Sequence, residues 1–261
     1  MKRIIALTAI IIVALEACSQ GQSTNQSAND GATAIASVAD NMVLVSGGSF
    51  MMGSDFEPDG VPQHRVTLDD FYIGKHEVTQ ALWQEVMGNN PSQNRGDNLP
   101  VENVSWLDCM EFIKRLNELT GKQFRLPTEA EWEYACRGGS TGKGFAFKAG
   151  DSIDEIAWYA ENSNEMTHPV ATKAPNGLGI YDMVGNVEEW CSSRYSKTYF
   201  STRPTTNPQG PTTGDTYSCR GGSFYCFAEQ CFVWMNNGQY PECRRDDIGF
   251  RLAISKEQSE R

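Results

Sequence analysis

Two cysteines near the C-terminus, Cys226 and Cys231, are the residues whose type and spacing most directly suggest chemistry. Thiolates are soft ligands, and copper(I) is a soft ion that prefers them. Two thiols with only four residues between them could therefore bind copper(I). A copper site is one hypothesis for this part of the chain.

The two cysteines lie in a segment, residues 220–253, whose ends and middle differ in character. Its ends are the motifs Arg220-Gly221-Gly222-Ser223 and Ile248-Gly249-Phe250-Arg251, and its middle is rich in aromatic residues. The aromatic positions follow neither a period of 2 nor one of 3.6, so they do not indicate a single buried face. Large amphipathic rings without a core pattern are typical of binding surfaces. The segment therefore predicts a binding site for a protein or another surface ligand.

Phe232 and Trp234 have an alternative interpretation, in which both rings pack inward on a strand. We expect Val233 between them to be the buried residue, and alternation along a strand would then turn both rings outward. Trp, Tyr and Arg contribute most to binding energy, so they are the strongest candidates for contacts. The candidate ligand-binding residues are Tyr225, Cys226, Phe227, Glu229, Gln230, Phe232, Trp234, Met235, Asn236, Gln239, Tyr240, Glu242, Arg245, Asp246 and Asp247.

The N-terminus has the pattern of an export signal. Lys2 and Arg3 precede an apolar run, residues 4–15, which is short for a membrane-spanning helix. The pair Ala17-Cys18 resembles the end of a bacterial lipoprotein signal, in which Cys18 would carry the lipid. We therefore expect a signal peptide at residues 1–17 and a surface-exposed protein at the outer membrane, attached to it only by the lipid. An ordinary cleaved signal followed by a chance cysteine is the alternative.

The rest of the composition favours one globular domain on a tether. Residues 18–40 are mostly small and polar, which predicts a flexible tether, and residues 41–256 are long enough for one domain with a substantial core. The formal net charge of −11 argues against nucleic acid as a partner. The three histidines are scattered and no CxxC pair exists, so a zinc site is not expected.

Local patterns predict an α+β domain that is rich in loops, with short helices and a small antiparallel sheet. The helices should begin at the capping residues Thr79, Ser105 and Thr128. Glycines should end the first two, at Gly88 and Gly121. Strands are expected near residues 42–45, 47–53, 64–68 and 71–73, and irregular chain is expected beyond residue 139.

Several motifs in this order resemble those of the formylglycine-generating enzymes, also called sulfatase-modifying factors. They cover almost all of residues 42–253 and include Gly47 to Ser54, Lys75 to Thr79, Pro100 to Trp106, Arg125 to Tyr134, Gly185 to Trp190 and the two motifs that enclose the aromatic segment. The resemblance implies a C-type-lectin-like fold. It also implies an alternative function, copper-dependent oxidation of a sulfatase cysteine to formylglycine by Cys226 and Cys231. Residues 232–235, Phe-Val-Trp-Met, depart from the arginine-rich stretch of the enzymes.

The same segment is also similar to the variable region of proteins diversified by retroelements, such as the Treponema variable protein. In those proteins asparagine codons are mutated at adenines, while codons without adenine persist. This resemblance implies a lipid-anchored surface protein that displays a diversified binding site and has no catalytic activity, and it makes Cys226 one outcome of mutation. A non-catalytic structural lipoprotein of an envelope machine is a further alternative.

A calcium site is the last expectation that the family resemblance carries. Some members hold calcium at the positions of Asp182 and Glu189 through carboxylates, and of Gly185 and Val187 through backbone carbonyls. Such oxygen ligands suit a hard cation. The alternative is that Glu189 pairs with an arginine such as Arg251. The binding function itself requires no cofactor.

Overall fold

The computed structural model describes residues 34–55, 62–144, 153–199 and 204–259. The predicted signal peptide, the predicted lipidation site Cys18 and most of the predicted tether lie outside these ranges. Within the described chain, every helix falls short of the length and apolar character that crossing a membrane requires.

The helices begin and end where capping chemistry predicts. Thr79 accepts a hydrogen bond from the backbone N–H of Leu82 and starts α1, and Gly88 ends it with φ of 76°. Capping boxes start the next two helices, which follow Ser105 and Thr128. The helices are α1 (Gln80–Met87), α2 (Trp106–Thr120), α3 (Glu129–Cys136) and, at the C-terminal end, α4 (Lys256–Ser259).

In the described ranges the strands form three small sheets, and the predicted α+β class is confirmed. The strands are β1 (Met42–Val45), β2 (Gly48–Met52), β3 (His64–Leu68), β4 (Phe71–Gly74), β5 (Glu188–Arg194), β6 (Tyr217–Arg220), β7 (Asn236–Gln239), β8 (Ile248–Gly249) and β9 (Ala253–Ser255). The sheets have the orders β1-β4-β9, β2-β3 and β7-β6-β5-β8. All pairings are antiparallel except that of β5 with β8, which is parallel.

Strand β5 was not predicted, although it is central to the four-stranded sheet. It begins with two adjacent acidic residues, Glu188 and Glu189, which look like loop residues in the sequence. Both are buried in the fold, because each has partners on its own side of the strand. A strand with buried charges gives no hydrophobic alternation to detect.

Residues 34–40 differ from the predicted flexible tether. They begin with a helical turn at residues 34–37 and carry a buried residue, Val38. The backbone N–H of Ile35 donates to a carboxylate oxygen of Glu85 at 3.1 Å. Residues 34–38 are therefore attached to the domain, through the hydrogen bond to Glu85 on α1 and through the packing of Ala34, Ile35 and Val38 against the hydrophobic core.

Two buried ion pairs cross the core. The guanidinium of Arg251 donates from Nε and Nη2 to the two carboxylate oxygens of Glu189, at 2.6 and 2.7 Å, and from Nη1 to the carbonyl of Gly74 at 3.0 Å. Arg220 pairs with Glu133 on α3. All four charged side chains are almost fully excluded from solvent. In a pair so enclosed, loss of either residue should strongly destabilise the fold, because the remaining charge would be buried without a partner.

Removal of Arg251 should therefore destabilise the protein strongly. We expect Arg251→Met to lower the free energy of unfolding by about 3–5 kcal/mol, since it leaves Glu189 buried without its cation. Urea denaturation followed by tryptophan fluorescence measures the change. The control is Arg115→Met, which breaks an exposed ion pair with Glu111 and should cost no more than about 1 kcal/mol. Equal losses in the two variants would contradict the role given to the buried pair.

Candidate ligand-binding surface

The motif that precedes the aromatic segment is buried and fixes the path of the chain after it. Gly221 and Gly222 have φ of 99° and 70°, which side chains rarely adopt, and a Cβ on Gly222 would lie 2.9 Å from the sulfur of Cys231. The guanidinium of Arg220 donates to the carbonyls of Val233 and, through Nη1, of the two following residues, all at 2.9 Å. One buried side chain thus holds three successive carbonyls and folds the segment back onto its own start.

The aromatic residues between the two motifs are divided between surface and interior. Tyr225 is 46% exposed, Phe227 59% and Tyr240 65%. Among the described residues, these are all of the exposed aromatic side chains. The hydroxyl of Tyr225 donates to Asp246 at 3.4 Å, which joins two distant parts of the segment. We call residues 225–246 the recognition segment.

The predicted orientation of Phe232 is wrong. Phe232 is buried, and its ring stacks on that of Trp234 with the centroids 4.4 Å apart. Residues 232–235 form a turn rather than a strand, closed by a hydrogen bond from the N–H of Met235 to the carbonyl of Phe232 at 2.9 Å. The alternation that would have turned Phe232 outward therefore does not apply. Val233 is buried, as predicted.

The remaining candidate residues differ in how far their side chains are exposed to solvent. Glu229, Gln230, Glu242 and Arg245 are exposed, and Cys226, Trp234, Met235, Asn236, Gln239 and Asp246 are half-buried. Asp247, predicted to contact the ligand, is instead buried and makes hydrogen bonds inside the protein. Its Oδ2 accepts hydrogen bonds from Ser223 Oγ at 2.8 Å and from Arg245 at 2.6 Å, so it holds the end of the recognition segment against its beginning.

Sequence reasoning missed Glu188, which lies beneath the recognition segment. Its carboxylate accepts a hydrogen bond of 2.6 Å from Asn237, and Arg245 lies 3.8 Å away. Burial raises the pKa of Glu188 to about 7, and the nearby charges of Asp247 and Cys226 also raise it, against the effect of these two partners. The adjacent pair Glu188-Glu189 was the available signal, because neighbouring strand residues face opposite sides of a sheet. The carboxylate of Glu189 pairs with the core arginine, and that of Glu188 contacts the recognition segment.

Two of the three cysteines of the segment, Cys226 and Cys231, lie in contact. A hydrogen bond from the thiol of Cys231 is the main cause that lowers the pKa of Cys226 to about 6, with a further contribution from Ser223 Oγ, 3.5 Å from the sulfur. The same contact and burial raise the pKa of Cys231. All seven cysteines of the described chain are free thiols, and Cys219 and Cys243, which flank most of the segment, are among them.

The thiol pair fits a soft monovalent metal as a two-sulfur donor set. In the parts of the chain that are described, no group of three or more His, Cys, Asp or Glu side chains could hold a metal ion. Copper(I) here would therefore have the sulfurs of Cys226 and Cys231 as its protein ligands. The hydroxyl of Ser223 would position the first of them, since it lies 3.5 Å from the sulfur of Cys226.

The residues expected to bind calcium do not fit that ion. Both carboxylate oxygens of Glu189 accept hydrogen bonds from Arg251, and one also accepts from Trp132 at 2.8 Å. Asp182 accepts from the backbone N–H of Ala171 at 2.6 Å. A dication beside Glu189 would have to share the carboxylate with a buried guanidinium. The alternative prediction, that Glu189 pairs with Arg251, is confirmed.

Comparison with known proteins places this geometry in a known family context. The family model described as the sulfatase-modifying factor enzyme 1-like domain matches residues 28–256. The chain is 35% identical to the chaperone protein LppX of Paenibacillus barcinonensis, over 73% of this chain and 80% of that protein. It is 36% identical to the formylglycine-generating enzyme of Streptomyces coelicolor, over 67% of this chain and 59% of that enzyme.

A solved structure shows the same overall architecture. The variable protein 1 of Treponema denticola superposes with a TM-score of 0.77 at 32% identity, and the match covers 82% of this chain and 94% of that one. The predicted fold of the formylglycine-generating-enzyme type is therefore confirmed.

The environment of Glu188 should make stability depend on pH. A glutamate whose pKa is about 7 in the folded protein and near 4.5 when unfolded binds its proton more tightly in the folded state. Its contribution is present below pH 4.5 and is lost as the pH rises through 7. We expect Glu188→Gln, which keeps the acceptor for Asn237, to remove up to about 3 kcal/mol of the decline in unfolding free energy between pH 5 and pH 8.

Urea denaturation at both pH values measures this difference. The control is Glu118→Gln, at an exposed position on α2, which should keep the wild-type pH dependence. An unchanged slope in Glu188→Gln would show that this carboxylate does not titrate as described.

Proposed function

Because the chain belongs to the family of the sulfatase-modifying factor enzyme 1-like domain, we propose that it uses this fold as a rigid support for ligand binding by the recognition segment, without catalysis. One observation carries the proposal. Every exposed aromatic side chain of the described residues lies in this one segment, between two buried motifs. Aromatic rings on a fixed support offer a large contact area at low cost in conformational entropy.

The support for these rings is rigid where binding requires it. Arg220 fixes the carbonyls of residues 233–235, and Ser223, Arg245 and Asp247 close the segment from its other end. A ligand would therefore meet side chains whose backbone is already ordered, so less entropy is lost on binding. The likeness to a variable protein and to a chaperone protein supports a binding role.

The proposal includes the place where the surface is displayed. We propose that the exported protein is attached through a lipid on Cys18 to the bacterial cell envelope, at the outer membrane, with the recognition segment exposed to partners at the cell surface. The sequence around Cys18 and the likeness to the chaperone protein LppX support this part of the proposal.

The aromatic residues of the recognition segment should dominate binding. The probe is a displayed library of random twelve-residue peptides, selected on the purified domain. We expect Tyr225→Ala and Tyr240→Ala each to weaken a selected peptide by about 30-fold or more, because central aromatic residues typically contribute 2 kcal/mol or more. Fluorescence anisotropy of the labelled peptide measures the affinity.

Leu119→Ala is the matched control, since Leu119 on α2 is 60% exposed and lies outside the segment. It should leave the affinity unchanged. Peptides that bind equally well to all three variants, or a library without binders, would refute the proposed function.

A second candidate function is copper-dependent formylglycine generation. The observation that favours it is the contact between Cys226 and Cys231, with the pKa of Cys226 lowered to about 6. Copper(I), if held by these two sulfurs, would activate dioxygen, and dioxygen would be the oxidant that converts a peptide cysteine to formylglycine. Ser223 would orient Cys226, and Gly222 leaves the room that the sulfur of Cys231 occupies.

A direct assay separates the two functions. We expect the copper(I)-loaded protein to form no aldehyde on a cysteine peptide of the sulfatase type, because the main proposal assigns no catalysis to the segment. Competition with a chromogenic copper(I) chelator measures loading, and mass spectrometry measures the product. Turnover that is abolished in both Cys226→Ser and Cys231→Ser would establish the enzyme and overturn the main proposal.

A further inference from the structure

A loop outside the recognition segment lies directly against it. The backbone N–H of Ala160 donates to the carbonyl of Cys226 at 3.0 Å, and the hydroxyl of Ser163 donates to the carbonyl of Phe224 at 2.9 Å. Ser163 is fully buried, and its own carbonyl is hydrogen-bonded to the ring of His168 at 2.7 Å. The loop is therefore a fixed neighbour of the segment and part of the same surface.

The turn of this loop carries exposed charged and apolar groups, and the charge of Glu165 acts on the exposed Tyr225. Asn164 and Glu165 both have φ of 56°, a left-handed conformation that side chains rarely adopt. Glu161 and Glu165 are exposed, and Met166 is 46% exposed. We call the two glutamates, Glu161 and Glu165, the acidic rim. No feature of the sequence marked them as part of a binding site.

The charge of the whole surface is unbalanced. Besides the rim, the recognition segment carries carboxylates at Glu229, Glu242 and Asp246. Both of its cations are already paired, Arg244 with Asp108 and Arg245 with Asp247. The residues that present carboxylates toward solvent thus have no matching cations among the residues of the rim and the segment.

The electrostatic potential at Tyr225 is negative, as the excess of carboxylates around it implies. Desolvation raises the pKa of its hydroxyl, and the negative charges of Asp246 and Glu165 raise it further. One of these carboxylates belongs to the recognition segment and the other to the rim, so both elements act on the same exposed ring.

We propose that the ligand is a basic peptide segment whose Lys or Arg side chains meet the acidic rim and whose apolar side chains pack on Tyr225 and Phe227. This inference rests on the proposed function and gives it a ligand class. Charge complementarity selects the partner and speeds its approach, and exposed aromatic faces attract the same cations. A second copy of the chain is disfavoured as occupant, because each copy carries a net charge of −11.

The test compares peptide selection by the wild type with selection by the double variant Glu161→Gln, Glu165→Gln. The random twelve-residue library is again the probe. We expect the wild type to enrich Lys and Arg above their frequency in the unselected library, and we expect a selected basic peptide to bind the double variant about tenfold more weakly. Its affinity for the wild type should also fall as sodium chloride is raised, because exposed charges are screened.

The matched control is Glu118→Gln, Glu257→Gln, which removes the same charge at exposed positions on α2 and α4. Its affinity for the basic peptide should equal that of the wild type, and circular dichroism verifies that both variants fold.

The outcomes separate this inference from the proposed function. Binders that depend on Tyr225 and Tyr240 but show no excess of Lys or Arg, or that bind the rim variant unchanged, would overturn the inference and leave the proposed function standing. Self-association through Tyr225, seen as a concentration-dependent mass in sedimentation, would overturn it as well. A library without binders would remove both.

Discussion

The buried guanidinium of Arg220 makes the contacts on which the arrangement of the recognition segment depends. It pairs with Glu133 on α3 and holds the carbonyls of residues 233–235, which belong to the recognition segment. An arginine has several donors in a fixed planar arrangement, so one side chain can satisfy a carboxylate and three carbonyls together. Since these carbonyls lie in a turn without a sheet partner, the side chain replaces the hydrogen bonds that a strand would have provided.

Strand β5 contacts both the core and the recognition segment. Its first two residues are both glutamates, and alternation sends Glu189 to Arg251 in the core and Glu188 toward Asn237 and Arg245 at the surface. The core and the recognition segment thus both contact the first residues of one strand. The charge beneath the recognition segment depends on pH, because burial raises the pKa of Glu188 to about 7.

Much of the fold follows from local chemistry that the sequence displays openly. Thr79, Ser105 and Thr128 cap the three main helices as expected, and the motifs that enclose the recognition segment are buried. Strand β5 could not be predicted, since its hydrophobic signal is interrupted by paired charges. The orientation of Phe232 was missed because alternation assumes a strand, and the chain turns there. The loop that carries Glu165 lies far from the segment in sequence and reaches it only through tertiary contacts, which no local pattern encodes.

The hydrogen bond between Asn237 and Glu188 has a consequence for how far this surface can change. Asn237 lies in the part of the chain expected to vary, whereas Glu188 belongs to the scaffold. A replacement at position 237 that cannot donate would leave a buried carboxylate short of a partner and would reduce folding stability before any ligand is met. The same holds for Asp247, which closes the segment from inside. Under the proposed binding function, folding stability therefore limits which residues positions 237 and 247 can hold, before any ligand selects among them.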